Sequence, residues 1–257
     1  MDTKPIMAWH FCGEALRDGR PIPANGEMLR QEGPIIPCES GLHGSERLID
    51  ALKYAPGETL CRVRLGGEMV PHNGDKYAAS ERVILWRFNA AELLRLFARL
   101  CASDVIHLWN APSIVRQSLE TGREDIRDAA VTAAWDASCA AYADAYAARA
   151  AHAVRAARAA HAARAARAAY AGASAAYAAH AAEKAGAYAA GAAHAAANAA
   201  WATAWDAAWD VPSDVARDAS WATARTTAED AQNEKLTTMT AMEATRLGYG
   251  MESVSWS

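Results

Sequence analysis

The chain has 257 residues, a formal net charge of −4 and 52% hydrophobic residues, enough for one or two domains. The mildly acidic balance argues against a protein that coats DNA generally and fits ordinary solubility. Five cysteines, at positions 12, 38, 61, 101 and 139, are odd in number, widely spaced and without a C-x-x-C pair, so they read as reduced thiols of a cytoplasmic protein, not as a disulfide frame or a metal site.

The opening MDTKPIMAWHF lacks an apolar h-region, so no secretory signal is expected. Short apolar runs with Gly and Pro punctuation fill residues 6–88. Ile6–Cys12, Thr59–Leu65 and Arg82–Phe88 read as strands, the last for its β-branched and aromatic ERVILWRF core. Between the first two, Ser45–Tyr54 carries Leu48, Ile49 and Leu52 at helical spacing, with Ser45 as the expected cap. Asn89 to Glu92 forms a capping box ahead of an apolar-faced helix running to about Trp109. A short helix over Ser113–Glu120 should stop at Gly122.

From Arg123 nearly to Leu247 the chain reads as helix. Between Ala151 and Ala200, 31 of 50 residues are alanine, the best helix former and one that buries little side chain. One unbroken helix of this length would be roughly 190 Å long, so breaks are needed. Pro212-Ser213-Asp214 is the clearest, and two or three antiparallel helices are expected. After Tyr170 the larger residues fall into heptads, which favours left-handed helix pairing. No stretch is apolar enough to span a bilayer, so no membrane partner is expected.

Two features of the tail invite a chemical reading. Arg149, Arg155, Arg158, Arg164 and Arg167 stand in a stretch without acids and offer phosphate contacts to a nucleic acid. The favoured alternative is pairing with the acidic 206–230 stretch of the same chain. Trp201, Trp205 and Trp209 fall in one helical row. They offer a stacking platform or cation–π cage, or, preferred here, the large anchors that an alanine bundle otherwise lacks.

In the front part, GLHGSERLIDALKYAPGETLCRVRLGGEMV, residues 41–70, resembles an uncharacterised domain family of bacteriophage and bacterial genomes. That family joins a G-(F/L)-H motif, a short helix ending in aromatic residues and a following strand to an alanine-rich tail. The resemblance spans roughly residues 5–120 and implies no activity. A second similarity is to the ADP-ribosyltransferase fold of the poly(ADP-ribose) polymerase style. Gly41-Leu42-His43 is followed by Tyr54 and then LCRVRLG, where that family places two rings around nicotinamide. Trp9-His10 stands where it has Trp-His-Gly, and Glu81 precedes the VIL strand, where it places a catalytic glutamate. This chain has His43 for the first tyrosine and Phe11 for the glycine. The resemblance implies NAD as ligand, His10 on a ribose hydroxyl, His43 and Tyr54 on the ring, and Glu81 stabilising an oxocarbenium-like transition state.

The expectation is therefore an α+β N-terminal domain over residues 1–112, a connector with a short helix over 113–122, an alanine-rich all-α region of antiparallel helices over 123–247 and a tail over 248–257. The leading functional expectation is a non-enzymatic, phage-related interaction or scaffold protein whose partner is another protein or a second copy, with no cofactor. The alternatives are an NAD-binding ADP-ribosyltransferase-like enzyme using His10, His43, Tyr54 and Glu81, and nucleic-acid binding through the Arg-rich helix.

Overall fold

A computed structural model describes residues 4–16, 19–154, 171, 173–176, 178, 181, 189–208 and 214–249. It shows an α+β front part followed along the chain by a helical region. The described residues divide into two compact units. The first takes those within Met1–Leu93, Tyr188–Ala190 and Asn233–Ser257; the second takes those within Leu94–Ala187 and Gly191–Gln232.

The first unit is built on five antiparallel strands: β1 (Ile6–Cys12), β2 (Met28–Arg30), β3 (Leu42–Gly44), β4 (Thr59–His72) and β5 (Lys76–Asn89), with helix α1 (Leu48–Lys53) between β3 and β4. β1 pairs with β4 and β4 with β5, while β2 and β3 both pair with β5. Both long strands extend well beyond the apolar runs visible in the sequence. They meet at Asn73 and Gly74, whose φ values of 54° and 76° are those of a tight hairpin turn that matches strand twist.

Alternation along the strands sends side chains to two faces. Ala8, Cys12, Cys61, Val63, Leu65, Ala79 and Ile84 form one buried cluster. Trp9, Phe11, Leu60, Trp86 and Phe88 are buried as well. Trp86 meets Trp9 edge-on at 5.8 Å and stacks on Phe88 at 6.0 Å. Leu48 and Leu52 of α1 have no exposed surface, which explains why this short helix forms without a side-chain cap. Ser45, expected to cap it, does something else: Trp9 and Ser45 exchange both backbone hydrogen bonds, at 2.7 and 3.0 Å. This bridge ties the end of β3 back to β1.

Helix α2 (Ala91–Asp104) starts where Asn89 Oδ1 accepts the Ala91 N–H at 2.8 Å, as an N-cap should. The 3₁₀ turn Ile106–Leu108 follows, so the regular helix stops short of Trp109. Helix α3 (Ser113–Thr121) ends on Gly122, whose φ of 64° and hydrogen bond to Ser118 form a left-handed cap. Among the described residues, helices α4 (Arg127–Val154), α5 (Ala189–Ala207) and α6 (Asp214–Arg246) follow. In α5 the alanines at 192, 195, 196, 199, 200, 202 and 204 are all buried. Small side chains let neighbouring backbones close in, and the contact energy is then gained atom by atom. The expected break at Pro212 and the heptad positions at Tyr170, Tyr177 and Lys184 lie outside the described residues.

Candidate functional site

The Trp9–Ser45 bridge brings β1 and β3 side by side, and this contact builds the site. Gly44 permits it: a Cβ there would stand 3.0 Å from Ala8 Cβ and 3.2 Å from Leu65 Cδ1. His10 follows the bridging Trp9, and His43 precedes Gly44, so the two histidines flank the junction. Two cavities open here and share His10, Phe11, His43 and Pro56 in their walls.

The smaller cavity, about 270 Å³, adds Cys38, Tyr54 and Lys76. Tyr54 ends α1, and its hydroxyl donates to the Asp75 carboxylate at 2.9 Å. Partial burial and then Asp75 push its phenol up to about 12. The Lys76 ammonium sits 3.8 Å from the Tyr54 ring centroid and donates to Cys38 Sγ at 3.4 Å. Cys38 Sγ also lies 3.5 Å from His72 Nε2. Cys38 has φ 72°, a left-handed conformation uncommon outside glycine and asparagine. Its own N–H reaches His43 Nε2 at 3.5 Å.

The larger cavity, about 650 Å³, is lined on its polar side by Arg20, Gln31, Glu39, Ser40 and Arg82 together with the two histidines. Arg82 is 4% exposed. Its Nη1 donates to the His43 carbonyl at 3.0 Å, and its Nε has no partner. Burial and the Arg82 charge both hold His10 below its ordinary value. Cys12 Sγ and Cys61 Sγ approach to 3.0 Å. Donation from Cys61, helped by His10 and Arg82, lowers the Cys12 thiol, while sharing the proton and burial raise Cys61. Cationic groups and hydrogen-bond donors dominate this wall, which suits an anion. Among the described residues no group of three or more His, Cys, Asp or Glu side chains is placed to hold a metal.

Of the four residues that the sequence singled out in the front part, His10, His43 and Tyr54 line the smaller cavity together. Glu81 lines neither. It pairs with Gly66 across the sheet and forms an ion pair with Arg30, Nε to Oε1 at 3.2 Å. Neighbouring residues on a strand face opposite ways, so the residue of β5 that reaches the cavity is the next one, Arg82. Sequence reasoning passed over Arg82 and Lys76 and took Cys38 only as a reduced thiol. Arg82 had a signal: it is a cation set directly before the buried Val83-Ile84 pair. Lys76 and Cys38 had none, because strand pairing and a left-handed turn bring them together.

In the helical region, Trp201 and Trp205 both meet Trp221, at 5.4 and 6.3 Å, edge to face. Arg225 lies 5.6 Å from the rings of Trp201 and Trp221. Trp209, Arg155, Arg158, Arg164 and Arg167 lie outside the described residues, as does the side chain of Arg149.

Residues 6–96 match the model of a family described as a domain of unknown function (DUF7666). No curated protein and no solved structure matches the chain. The matched span covers all five strands and α1, and so the whole wall of both cavities. Among the described residues no helix is long and apolar enough to cross a membrane.

Proposed function

We propose that the front domain is a binding module for a nucleotide-type small molecule, joined to a helical region that serves assembly. The observation that carries this reading is the convergence of His10, His43 and Tyr54 on one cavity. These are the positions at which the resemblance to the ADP-ribosyltransferase fold implies contacts to a ring and a ribose. NAD is therefore the first ligand to test. Tyr54 would supply the aromatic surface for a planar ligand ring, with the Lys76 ammonium 3.8 Å from the same ring centroid.

Transfer chemistry is not part of the proposal. A glycosyl-type transition state needs a carboxylate beside the developing cation, and Glu81, the residue assigned that task, is held by Arg30 away from both cavities. Calorimetric titration of the full chain with NAD should show saturable binding, weakened about tenfold or more by Tyr54→Ala through the lost stacking surface. Absence of heat and of any thermal shift at high NAD would end this reading.

Assembly is supported by surface composition. Trp135 and Trp201 keep 44% and 41% of their surface exposed and Met242 keeps 70%. Helices that bury mainly methyl groups gain by associating with more helices. A concentration-independent monomer mass in light scattering would count against it. Nucleic-acid binding rests on the arginines at 149–167 and is the third possibility; a salt-sensitive gel shift, lost when those arginines become glutamine, is its test.

A further inference from the structure

We infer that the larger cavity is a phosphate subsite, in which Arg82 and Arg20 hold the phosphate or diphosphate group of the ligand. The inference deepens the binding reading and takes from it the location of the cleft, but it does not depend on the ligand being NAD. Its basis is the state of Arg82. The side chain is 4% exposed, and a guanidinium is always charged. A buried charge needs a counter-charge or a full set of acceptors. Arg82 has one acceptor, the His43 carbonyl at 3.0 Å, and its Nε has none. Among the described residues no carboxylate pairs with it. Arg30, Arg225 and Arg246 are satisfied by Glu81, Glu229 and Glu243 respectively. Glu39 also lines the cavity, yet it is exposed and makes no ion pair with Arg82.

The other donors on the wall favour phosphate over a carboxylate. Arg20 comes from the loop after β1, Gln31 from the end of β2, His10 from β1 and His43 from β3. Donors arriving from four separate segments suit an anion with oxygens pointing several ways. A planar carboxylate is satisfied by a single arginine fork, and the Arg82 fork is already partly committed to His43. The cavity of about 650 Å³ is also far larger than a lone carboxylate needs and falls within the range of small-molecule sites.

One rival sits within the chain. The Cys12–Cys61 thiol pair lies beside the same group, so a Cys12 thiolate could itself be the counter-charge of Arg82. The test separates the two. The full chain is titrated calorimetrically with inorganic phosphate, inorganic pyrophosphate and NAD, in wild type and in the Arg82→Met, Arg20→Gln and Cys12→Ser variants, with thermal unfolding as the check on folding. Pyrophosphate should bind, compete with NAD and raise the melting temperature. Arg82→Met and Arg20→Gln should each weaken it about tenfold or more, while Cys12→Ser leaves it intact. Arg20 is exposed, so Arg20→Gln remains informative if Arg82→Met does not fold. Failure of wild type to bind phosphate or pyrophosphate overturns the subsite even if NAD binds. Undiminished binding in Arg20→Gln and Arg82→Met overturns it too, as does binding that appears only once Cys12→Ser has removed the competing thiolate. Pyrophosphate binding without NAD binding upholds the subsite and removes only NAD.

Discussion

His10 shows how one buried wall links stability to pH. Its ordinary value is 6.5, and burial and then the Arg82 charge press it lower in the folded chain. The sign follows from proton counting. As pH falls through 6.5 the unfolded chain takes up the proton first, so folding stability holds above that pH and declines below it. Wild type should therefore lose more of its urea midpoint between about pH 8 and about pH 5.5 than His10→Asn does. Equal losses in the two proteins would mean that His10 does not carry the effect. Saturating pyrophosphate should flatten the same slope, because a bound anion offsets the Arg82 charge. The neighbouring residues Glu81 and Arg82 show what the sequence conceals at this scale. A position before an apolar run is readable, but the face it points to is set by pairing register, and one residue exchanges the cavity for the far side of the sheet. Hence His10, His43 and Tyr54 were grouped through the resemblance to the ADP-ribosyltransferase fold, while the face that Arg82 takes depends on a register that no local pattern shows.

Among the elements, those with local causes were legible. β1 is marked by its apolar run, α2 by Asn89, and α3 by Gly122. β2 and β3 were not, since three residues each leave no period to read and both depend on pairing with β5. The same limit hid the partner of the tryptophan row. Trp201 and Trp205 lie on α5, but Trp221, which meets both, belongs to α6. Gln232 adds a second tie between these helices, its Nε2 donating to the Ala196 carbonyl at 3.0 Å. An alanine helix buries little area per residue, so these few large contacts carry a disproportionate share of the pairing. Trp221→Ala should destabilise the α5–α6 pair by about 2 kcal/mol, less than a fully buried tryptophan would because Trp221 is half-buried. Denaturant unfolding followed by far-UV helicity reads this out. Trp221→Phe should recover much of the loss, since it keeps an edge-to-face ring. An unchanged midpoint in Trp221→Ala would show that the methyl contacts suffice alone.

For the whole molecule, the matched family span ends at residue 96, but the first compact unit also includes the described residues from Asn233 to Tyr249. The cause lies in the end of α6. Gly248, with φ 82°, donates to Thr245, and Tyr249 donates to Ala244 at 2.8 Å. This is the paired hydrogen bonding of a helix stop that turns on a left-handed glycine. The turn delivers the Tyr249 ring onto Trp86, at 5.6 Å and 13° between planes, and its hydroxyl onto the Arg87 carbonyl at 3.2 Å. Further up the same helix, where the segment belonging to the first unit begins, Asn233 Oδ1 accepts the Ile49 N–H at 3.1 Å, a donor at the start of α1 that has no partner within its own helix. Residues over a hundred positions away thus complete the sheet domain, which no local pattern in the sequence reveals. Tyr249→Ala in the full chain should cost about 2 kcal/mol, combining ring burial with stacking. Tyr249→Phe should cost only about 1 kcal/mol, the hydroxyl bond alone. Gly248→Ala should approach the alanine variant in effect, because the left-handed turn that aims the ring disfavours a side chain. Amide exchange along β5 is the measurement to use, since it reports on the strand that Tyr249 covers. Unaltered protection from Trp86 to Phe88 in Tyr249→Ala would show that the sheet domain stands without its C-terminal cover.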